Sequence, residues 1–390
     1  MARANGEGTI YKRNDGVWLG QITIGTDPQT GKQRRKTFSG KTRDKVSAKM
    51  LEARHDLMKG NYQEPSKINV GEWLDEWIEG RKHSIAYSTY RNYKGMIKNH
   101  LKPTVGNIKI SKLTARKVQK VVREKLENGN TKGKGGLSTR TVKYIYQTLH
   151  AALGQAVKER IISINICEAV EIPSKQQEKK LHTWNKKEIK KFLDTALKEG
   201  RFYEVYFLAL NTGMRKGELL GLKWEDVNLE KRKLTVTRQL AAGENGLHFK
   251  KVKTNSGNRV IPLTLQLVTF LKKLRTKQKE NQLALGEIYQ DSNLVLCRDN
   301  GKYIYPRALT RDFKPLIEKT DIPEIRFHDL RHTFATQFLE AGGNIKTLQQ
   351  ILGHSSISVT MDTYSHVNDE MLNLAAEKME VMFNEASSSK

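Results

Sequence analysis

Two polar, proline-bearing stretches divide this chain into three segments with different hydrophobic patterns. They are GNYQEPSK (60–67) and IPSKQQEKKLHTW (172–184), and their composition is typical of linkers. A chain of 390 residues has room for two or three domains. We therefore expect three domains, over 1–62, 66–172 and 183–390.

Charge is the strongest signal in the composition. The chain has 69 Lys and Arg against 42 Asp and Glu, which gives a formal net charge of +27. Each phosphate that a basic residue neutralises releases counterions, and this release drives binding to nucleic acid. Nucleic acid is therefore favoured as the partner over a membrane surface, and over a basic face that is only solvated.

Other classes of protein are disfavoured. No apolar run approaches the ~18 residues of a membrane span, and the start, MARANGEG, lacks the apolar core of a secretory signal. The two cysteines, Cys167 and Cys297, lie far apart without CxxC or Cys/His spacing, which argues against a disulfide framework or a zinc site. We expect a cytoplasmic protein with no membrane partner.

The first segment predicts a small three-stranded sheet and a helix. TIYKR and VWLGQITIG flank the turn signal NDG, RRKTFSG forms a third strand, and a helix follows at about 42–59. Three residues of the second strand share one apolar face: Trp18, Ile22 and Ile24. The other face can bind DNA through Arg34, Arg35 and Lys36 of the third strand. The alternative is a sheet whose basic side chains are only solvated.

The second segment predicts a bundle of helices. In VGEWLDEWIEG, five apolar residues recur on one helix face: Val70, Trp73, Leu74, Trp77 and Ile78. Further helices fit around 88–99, 114–127 and 138–160, and Ser138 or Thr139 can cap the last of them. Six more residues are expected in the core: Val142, Ile145, Leu149, Leu153, Tyr90 and Tyr93.

The third segment mixes helices with short strands. Asn185 can cap a helix with four apolar residues on one face: Ile189, Phe192, Leu193 and Leu197. KLTVTRQ alternates like a strand, and RVIPL ends another. The three segments together predict a multidomain α+β protein, with a three-stranded-sheet domain, an all-α bundle and a mixed, mainly helical domain that holds a small antiparallel sheet.

Four motifs in the third segment carry unusual polar residues. NTGMRKGELLGLKWEDV contains a helix-to-helix break at a glycine, and NSGN in KKVKTNSGNRVIPL predicts a turn that joins two strands. FHDLRHTFATQF places a histidine and an arginine within one helical turn, and LGHSS precedes the hydroxyl-rich stretch SSISVTMDTYSHV. Seven residues stand out in these motifs: Arg215, Glu218, Lys253, His328, Arg331, His354 and Tyr364.

Together these residue types suit attack on a phosphodiester. A phenol with a pKa near ~10 is a weak nucleophile at neutral pH and needs a base or a cationic pocket. Arginines stabilise the charge that develops on the non-bridging oxygens, because the guanidinium donates in pairs and stays protonated. A lysine can protonate the leaving 5′-oxygen. The set needs no metal ion.

The motifs resemble those of the tyrosine recombinase family, and most closely the integrases of phages and integrative elements. The resemblance covers nearly the whole chain and includes TGMRKGELLGLKW, HDLRHTFAT, LGHSS and TYSHV, in that order. The first segment resembles the arm-site-binding domain of such integrases, and the second resembles their helical core-binding domain. A clamp around duplex DNA, formed by the second and third domains, is implied.

The resemblance also implies roles for the nucleophile and the proton-transfer groups. Tyr364 would attack the scissile phosphate and form a 3′-phosphotyrosyl link. Lys253 would protonate the leaving oxygen, although Lys250 and Lys251 are close alternatives. His328 would assist proton transfer at the tyrosine.

Four further residues would handle the charge of the phosphate. Arg215 and Arg331 would hold the non-bridging oxygens, and His354 would donate a hydrogen bond to the phosphate. Glu218 stands where the family often has an acidic residue that orients the cations. No cofactor, ATP or metal is implied.

The resemblance implies partners as well. A homotetramer would assemble on core and arm attachment sites in a bacterial nucleoid, with possible accessory factors that bend DNA or set direction. The last stretch has an apolar stripe at helical spacing, formed by Leu372, Ala375, Ala376, Met379 and Phe383. This stripe can dock on its own domain or on a neighbouring subunit.

Two alternatives remain open. HDLRH places His328 and His332 at i and i+4, as in zinc hydrolases, but no third ligand is evident and a buried structural His332 is favoured. A DNA-binding regulator without catalysis would explain the charge but would not need the clustered catalytic residue types.

Overall fold

The computed structural model divides the chain into two compact units, Met1–Gln177 and Glu178–Lys390. It describes residues 8–27, 30–58, 66–130, 133–173, 182–252 and 257–364. The expected boundary between a domain at 1–62 and one at 66–172 lies within the first unit and remains a prediction. The first unit has separate apolar clusters on the two sides of that boundary.

The first unit begins with an antiparallel sheet covered on one face by a helix. Its elements are β1 (Thr9–Lys12), β2 (Trp18–Thr26), β3 (Gln33–Gly40) and α1 (Arg43–Met58). The predicted apolar face is confirmed, because Trp18, Ile22 and Ile24 pack in one cluster with α1. Gly20 permits this close packing, since a Cβ there would lie 2.2 Å from Sδ of Met50.

The strand register separates the three basic residues of β3. Lys36 pairs with Ile22, whose side chain is buried under α1, so Lys36 lies on the helix-covered face. Arg35 pairs with Thr23 and lies on the opposite, open face. Arg34 pairs with Gly25, beyond a register shift between Thr23 and Gly25, and is exposed. DNA binding by Arg34, Arg35 and Lys36 remains a prediction, and the register shows only that Arg35 and Lys36 lie on opposite faces of the sheet.

The rest of the first unit is helical, as predicted. Its helices are α2 (Val70–Gly80), α3 (Tyr87–Met96), α4 (Lys102–Val105), α5 (Ala115–Asn128) and α6 (Thr139–Lys158). A π-helical turn, Ile97–Leu101, connects α3 and α4, so the helix expected at 88–99 is longer and irregular. The Ser138 hydroxyl caps α6 by accepting from the amide of Thr141 at 3.3 Å.

The core of this bundle contains the predicted residues. All five apolar residues of the α2 face are buried, as are Val142, Ile145, Leu149 and Leu153 of α6. Tyr90 is 7% exposed and donates its hydroxyl to Glu79. Tyr93 packs beside Trp77, with ring centroids 5.4 Å apart. Both tyrosines are core residues, as expected.

The second unit combines eight helices in the described ranges with short strands. The helices are α7 (Lys186–Glu199), α8 (Tyr203–Thr212), α9 (Lys216–Leu219), α10 (Leu265–Leu285), α11 (Pro306–Glu318), α12 (Asp329–Glu340), α13 (Ile345–Leu352) and α14 (Ile357–Tyr364). The strands are β4 (Val227–Asn228), β5 (Lys233–Val236), β6 (Arg238–Gly243), β7 (Gly246–Lys251) and β8 (Arg259–Pro262). One antiparallel sheet has the order β4-β5-β8, and β6 pairs with β7 in another. The predicted NSGN turn thus connects strands of two different sheets.

Two expectations at the start of this unit need correction. Trp184, the last residue of the predicted linker, is 1% exposed, and its indole donates to the carbonyl of Pro323. Leu197, expected on the buried face of α7, is 63% exposed. Ala196 takes that place, because Leu197 is rotated about 140° around the helix from the buried Phe192. Asn185 caps α7 as predicted, accepting from the Glu188 amide at 3.0 Å.

Both cysteines are free thiols, Cys167 buried and Cys297 half-buried. Within the described ranges, no helix has the length and apolar character needed to cross a bilayer.

Candidate active site

The site begins where α8 ends. Gly213 terminates that helix in the left-handed region, with φ of 62°. A Cβ at this position would lie 2.4 Å from the ring of Phe334 and 2.9 Å from Leu352, so both the backbone angle and the packing require glycine. The chain then turns, and Arg215 occupies the N-cap position of α9. The helix-to-helix break predicted from NTG is confirmed.

Glu218 is the acidic centre of the site. It is 2% exposed, and its carboxylate accepts from Nη1 of Arg215 at 2.8 Å and from the Arg215 amide at 2.9 Å. Burial alone would raise its pKa, but hydrogen bonds and charge from Arg259, together with Arg215, lower the pKa to about 2. Glu218 is therefore ionised near pH 7. The expected role of Glu218 in orienting the cations of the site remains a prediction.

Arg331 joins three elements of the unit. It lies in the first turn of α12, is 3% exposed, and donates to the carbonyl of Gly213 at 2.8 Å and to that of Leu352 at 2.6 Å. These bonds fix the guanidinium between the end of α8 and the end of α13. Arg215 reaches the same region, because its Nη2 donates to the carbonyl of Gly353 at 3.3 Å.

His354 follows the left-handed glycine that ends α13. Gly353 has φ of 66°, which turns the chain and brings His354 out of the helix. Its Nδ1 lies 2.8 Å from the hydroxyl of Thr360, a fully buried residue of α14. Desolvation, and then the charges of Arg331 and Arg215, lower the pKa of His354 to about 4, so the ring is neutral near pH 7.

His328 and His332 lie at the start of α12. Their ring centroids are 5.3 Å apart. Partial desolvation and the charge of Arg331 lower the pKa of His328, although its side chain is exposed on one side. His332 is half-buried, and its pKa falls to about 4 through desolvation and the charge of His328. The acid between them, Asp329, forms an ion pair with Arg326 at 2.8 Å and also accepts from the Arg326 amide, so it is not positioned as a free base.

For two of the seven candidate site residues, Lys253 and Tyr364, only the position along the chain can be given. Lys253 lies outside the described residues, between β7 and β8. Tyr364 is the last residue of α14, which begins three residues after His354. The apolar stripe predicted in the tail also lies outside the described residues.

The structure adds one residue that the motifs did not indicate. Arg259, the first residue of β8, is 7% exposed and holds both carboxylate oxygens of Glu218. Its only sequence signal is a strand pattern, RVIPL, and a buried ion pair cannot be inferred from alternation. The one available signal was that Arg259 alternates with the inward-facing residues of RVIPL, although it is basic.

The site thus brings three guanidiniums to the end of α13, and two of them bind one carboxylate. Arg215 and Arg259 contact Glu218, and Arg331 donates to the carbonyl of Leu352, which lies between the carbonyls that accept from the other two arginines. Excess positive charge remains, which is also why the neighbouring imidazoles resist protonation. Such a site can bind and polarise a phosphate diester.

The free energy of unfolding should fall as the pH is lowered from about 6.5 towards 4. In the folded state the pKa of both His332 and His354 is about 4, against 6.5 for an unperturbed histidine, so the unfolded chain binds more protons in this window. Above pH 6.5 these two groups contribute no slope. Thermal melting at constant ionic strength measures the effect.

The variant His354→Asn is the matched control for this pH dependence, because it removes one titrating ring and keeps a polar side chain. Its stability should fall less steeply than that of the wild type over the same window. If the free energy of unfolding had the same pH dependence in both proteins, the lowered pKa of His354 would be contradicted.

Comparison with known proteins places this arrangement in a family. Residues 182–371 match the family model described as the phage integrase family, and residues 69–126 match the phage integrase N-terminal SAM-like domain. A protein named tyrosine recombinase XerC-like, from Caldanaerobacter subterraneus subsp. tengcongensis, is 30% identical over 381 residues. That alignment covers 93% of this chain and 95% of the relative.

Solved structures have the same fold. The Tn1549 transposon integrase in complex with transposon right end DNA has a TM-score of 0.64 at 22% identity, over 80% of this chain and 100% of that one. A lambda integrase tetramer bound to a Holliday junction has a TM-score of 0.60 at 19% identity, over 93% of this chain and 96% of that one. Fold, family models and a relative matched over nearly its full length agree, and the chain belongs to the phage integrase family of tyrosine recombinases, enzymes that exchange DNA strands.

Proposed function

We propose that this recombinase cuts and rejoins duplex DNA at specific sites, and so integrates or excises a mobile element. Tyr364 attacks the scissile phosphodiester. A bond forms between the phenolic oxygen and phosphorus, and the bond between phosphorus and the 5′-oxygen breaks. The products are a 3′-phosphotyrosyl link and a free 5′-hydroxyl, which attacks a second phosphotyrosine to complete the exchange. Because each step replaces one phosphoester by another, no ATP is consumed.

The other residues of the site stabilise the negative charge of the phosphate or transfer protons to and from the reacting oxygens. Arg215 and Arg331 hold the non-bridging oxygens of the phosphate, and His354 donates to one of them. His328 assists removal of the phenolic proton. Lys253 protonates the leaving 5′-oxygen, with Lys250 and Lys251 as the alternatives on the preceding strand.

One observation carries this proposal. Arg215, Arg331 and His354 come together around the end of α13, and the next helix, α14, ends at Tyr364. A cationic pocket beside a tyrosine is what phosphodiester attack by a phenol requires. The ionised Glu218 supports the same reading, because it holds an arginine without cancelling the whole positive charge.

DNA is the substrate that the charge and the relatives favour. The formal net charge is +27, and the Tn1549 and lambda integrases were solved on DNA, the latter as a tetramer. We infer that this chain also assembles as a tetramer on two duplexes in a bacterial nucleoid. Accessory proteins that bend the DNA or set direction belong to the same proposal.

Covalent capture tests the function and identifies the cleaved DNA sequence in one experiment. Wild-type protein is incubated in EDTA with a library of nicked duplexes of random sequence, and complexes that survive SDS are recovered and sequenced. We expect one recurring sequence, cleaved at one position, with protein on the 3′-phosphate. Binding without any adduct would favour a DNA-binding regulator, and cleavage only after zinc is added would favour a metal-dependent hydrolase.

Arg35 should be the basic residue of β3 that matters most for binding to arm sites, since it lies on the open face of the sheet while Lys36 lies on the covered face. Arg35→Ala should weaken arm-site binding about tenfold, the effect of one charge-assisted hydrogen bond. It should also reduce the salt dependence by about one counterion.

Fluorescence anisotropy on separate arm-site and core-site duplexes measures this effect, with Lys36→Ala as the matched control. Deletion of residues 1–62 should remove arm-site binding and spare core-site binding. Equal losses for Arg35→Ala and Lys36→Ala, or no loss in either, would mean that the sheet does not bind DNA through its open face.

A further inference from the structure

Arg259 is a buried arginine for which the proposed reaction has no direct role. Its Nη1 and Nη2 donate to the two oxygens of Glu218 at 3.1 and 2.7 Å. Nη1 also donates to the carbonyl of Gly257 at 3.3 Å, and Nε donates to the carbonyl of Ile351. A guanidinium has five N–H groups. Four of these are used in hydrogen bonds inside the protein, so Arg259 is placed to orient neighbouring groups and not to bind a phosphate.

The end of α13 is the first place where Arg259 acts on its neighbours. Three consecutive carbonyls there each accept from a different arginine: Ile351 from Arg259, Leu352 from Arg331 and Gly353 from Arg215. The last carbonyls of a helix have no partner within the helix and lie at the negative end of its dipole. The carbonyls at this helix end can therefore hold three guanidiniums side by side.

Glu218 is the second place. Its buried carboxylate accepts from Arg259 at both oxygens, and Nη1 of Arg215 donates to one of the same oxygens, Oε1. The side chain of Arg215 is 38% exposed, whereas that of Arg259 is 5% exposed. Arg259 is thus the fixed partner, and it holds the carboxylate in the plane that Arg215 needs. Without Arg259, the buried carboxylate of Glu218 would have Arg215 as its one remaining charged partner among the described residues. The carboxylate would then no longer be held in a fixed orientation for Arg215.

We propose that Arg259 is a positioning residue for phosphate binding, which orients Arg215 through Glu218 and the end of α13. This inference rests on the proposed function, because it assigns Arg215 to the scissile phosphate. Misplacement of a reacting group by about 1 Å can cost about a hundredfold in rate, so a small shift of Arg215 is enough to matter.

Single-turnover cleavage of a nicked duplex tests the proposal. Arg259→Lys keeps the charge and loses the planar fork, and should lower the cleavage rate about 10- to 100-fold while DNA affinity stays the same. The matched control is Arg238→Lys, which alters another partly buried arginine paired with Glu225 and Asp226 in the same unit. That control should cleave like the wild type.

Two readouts separate positioning from general damage. On a substrate with a neutral methylphosphonate at the scissile position, the defect of Arg259→Lys should shrink, because less charge has to be stabilised. In an Arg215→Lys background, adding Arg259→Lys should cost less than about threefold, since the group that it positions is already impaired. Equal defects on both substrates, or full additivity, would overturn the proposal.

A second variant keeps the test valid if Arg259→Lys does not fold, as judged by thermal melting. Glu218→Gln keeps the shape of the link between the two arginines and removes its charge, and it should show the same non-additivity with Arg215→Lys. Wild-type protein that forms no covalent adduct would refute the proposed function itself. A normal adduct in the wild type, with wild-type rates in Arg259→Lys and Glu218→Gln, would refute only this inference.

Discussion

Replacing Tyr364 by phenylalanine should abolish the covalent protein–DNA adduct and leave DNA binding intact. The ring is retained, so packing changes little, while the oxygen that would attack phosphorus is removed. The measurement is an SDS gel of protein incubated with a nicked suicide substrate, beside a binding assay on the same duplex. We expect no adduct above background and an unchanged dissociation constant.

A second tyrosine provides the control for this experiment. Tyr305 lies in the same unit and is 53% exposed, so Tyr305→Phe removes an accessible phenol that has no proposed role. This variant should form the adduct at the wild-type rate. An adduct that persists in Tyr364→Phe would refute the assignment of the nucleophile, and one that disappears in Tyr305→Phe would point to the other tyrosine.

Removing either of the two arginines proposed to bind the phosphate should lower the cleavage rate by about 10²–10³-fold, which is the usual cost of losing one preorganised donor to a developing charge. Arg215→Ala is the cleaner variant, because its side chain is 38% exposed. Arg331→Ala should be at least as severe, since it also leaves the carbonyls of Gly213 and Leu352 without their donor in a buried place.

Lysine substitutions separate charge from geometry at these two positions. Arg215→Lys and Arg331→Lys should recover little activity, because a single ammonium cannot donate in the planar, paired manner of a guanidinium. The exposed Arg311 on α11 is the control, and Arg311→Ala should leave the rate unchanged. Rates within a few-fold of the wild type for Arg215→Ala or Arg331→Ala, measured in single turnover, would refute their proposed roles.

The local features of this fold were predictable because they depend on neighbours in sequence. Caps at Ser138 and Asn185, the α2 face and the apolar face of β2 follow from short-range hydrogen bonding and from the periods of helix and strand. The glycine break before Arg215 is of the same kind, since its left-handed backbone angle is a property of one residue. The residue types of the motifs, together with their resemblance to a known family, also grouped Arg215, Arg331 and His354 in one candidate site.

Where the sequence-based expectations failed, the deciding partner was remote. Trp184 ends a polar stretch that is typical of a linker, but it is buried, and its indole donates to the carbonyl of Pro323, 139 residues away. The apolar side chain of Leu197 suggests a core position, yet Leu197 is rotated away from the face of α7 that packs on the core, and Ala196 is buried instead. Whether a side chain is buried depends on which other element packs against it, and the sequence of one helix or strand does not specify that element.

The sequence by itself determined which side chains are candidates for attack, for phosphate binding and for proton transfer, and in which order they occur along the chain. Only the tertiary structure decided how those groups are held. Arg259 binds Glu218, 41 residues away, and the carbonyl of Ile351, 92 residues away. Every residue has a backbone carbonyl, so the sequence cannot predict which three carbonyls accept hydrogen bonds from the three arginines. That arrangement exists only once α8, α12, α13 and β8 have packed around one buried carboxylate, because the desolvated charges are stable only when all their partners are in place.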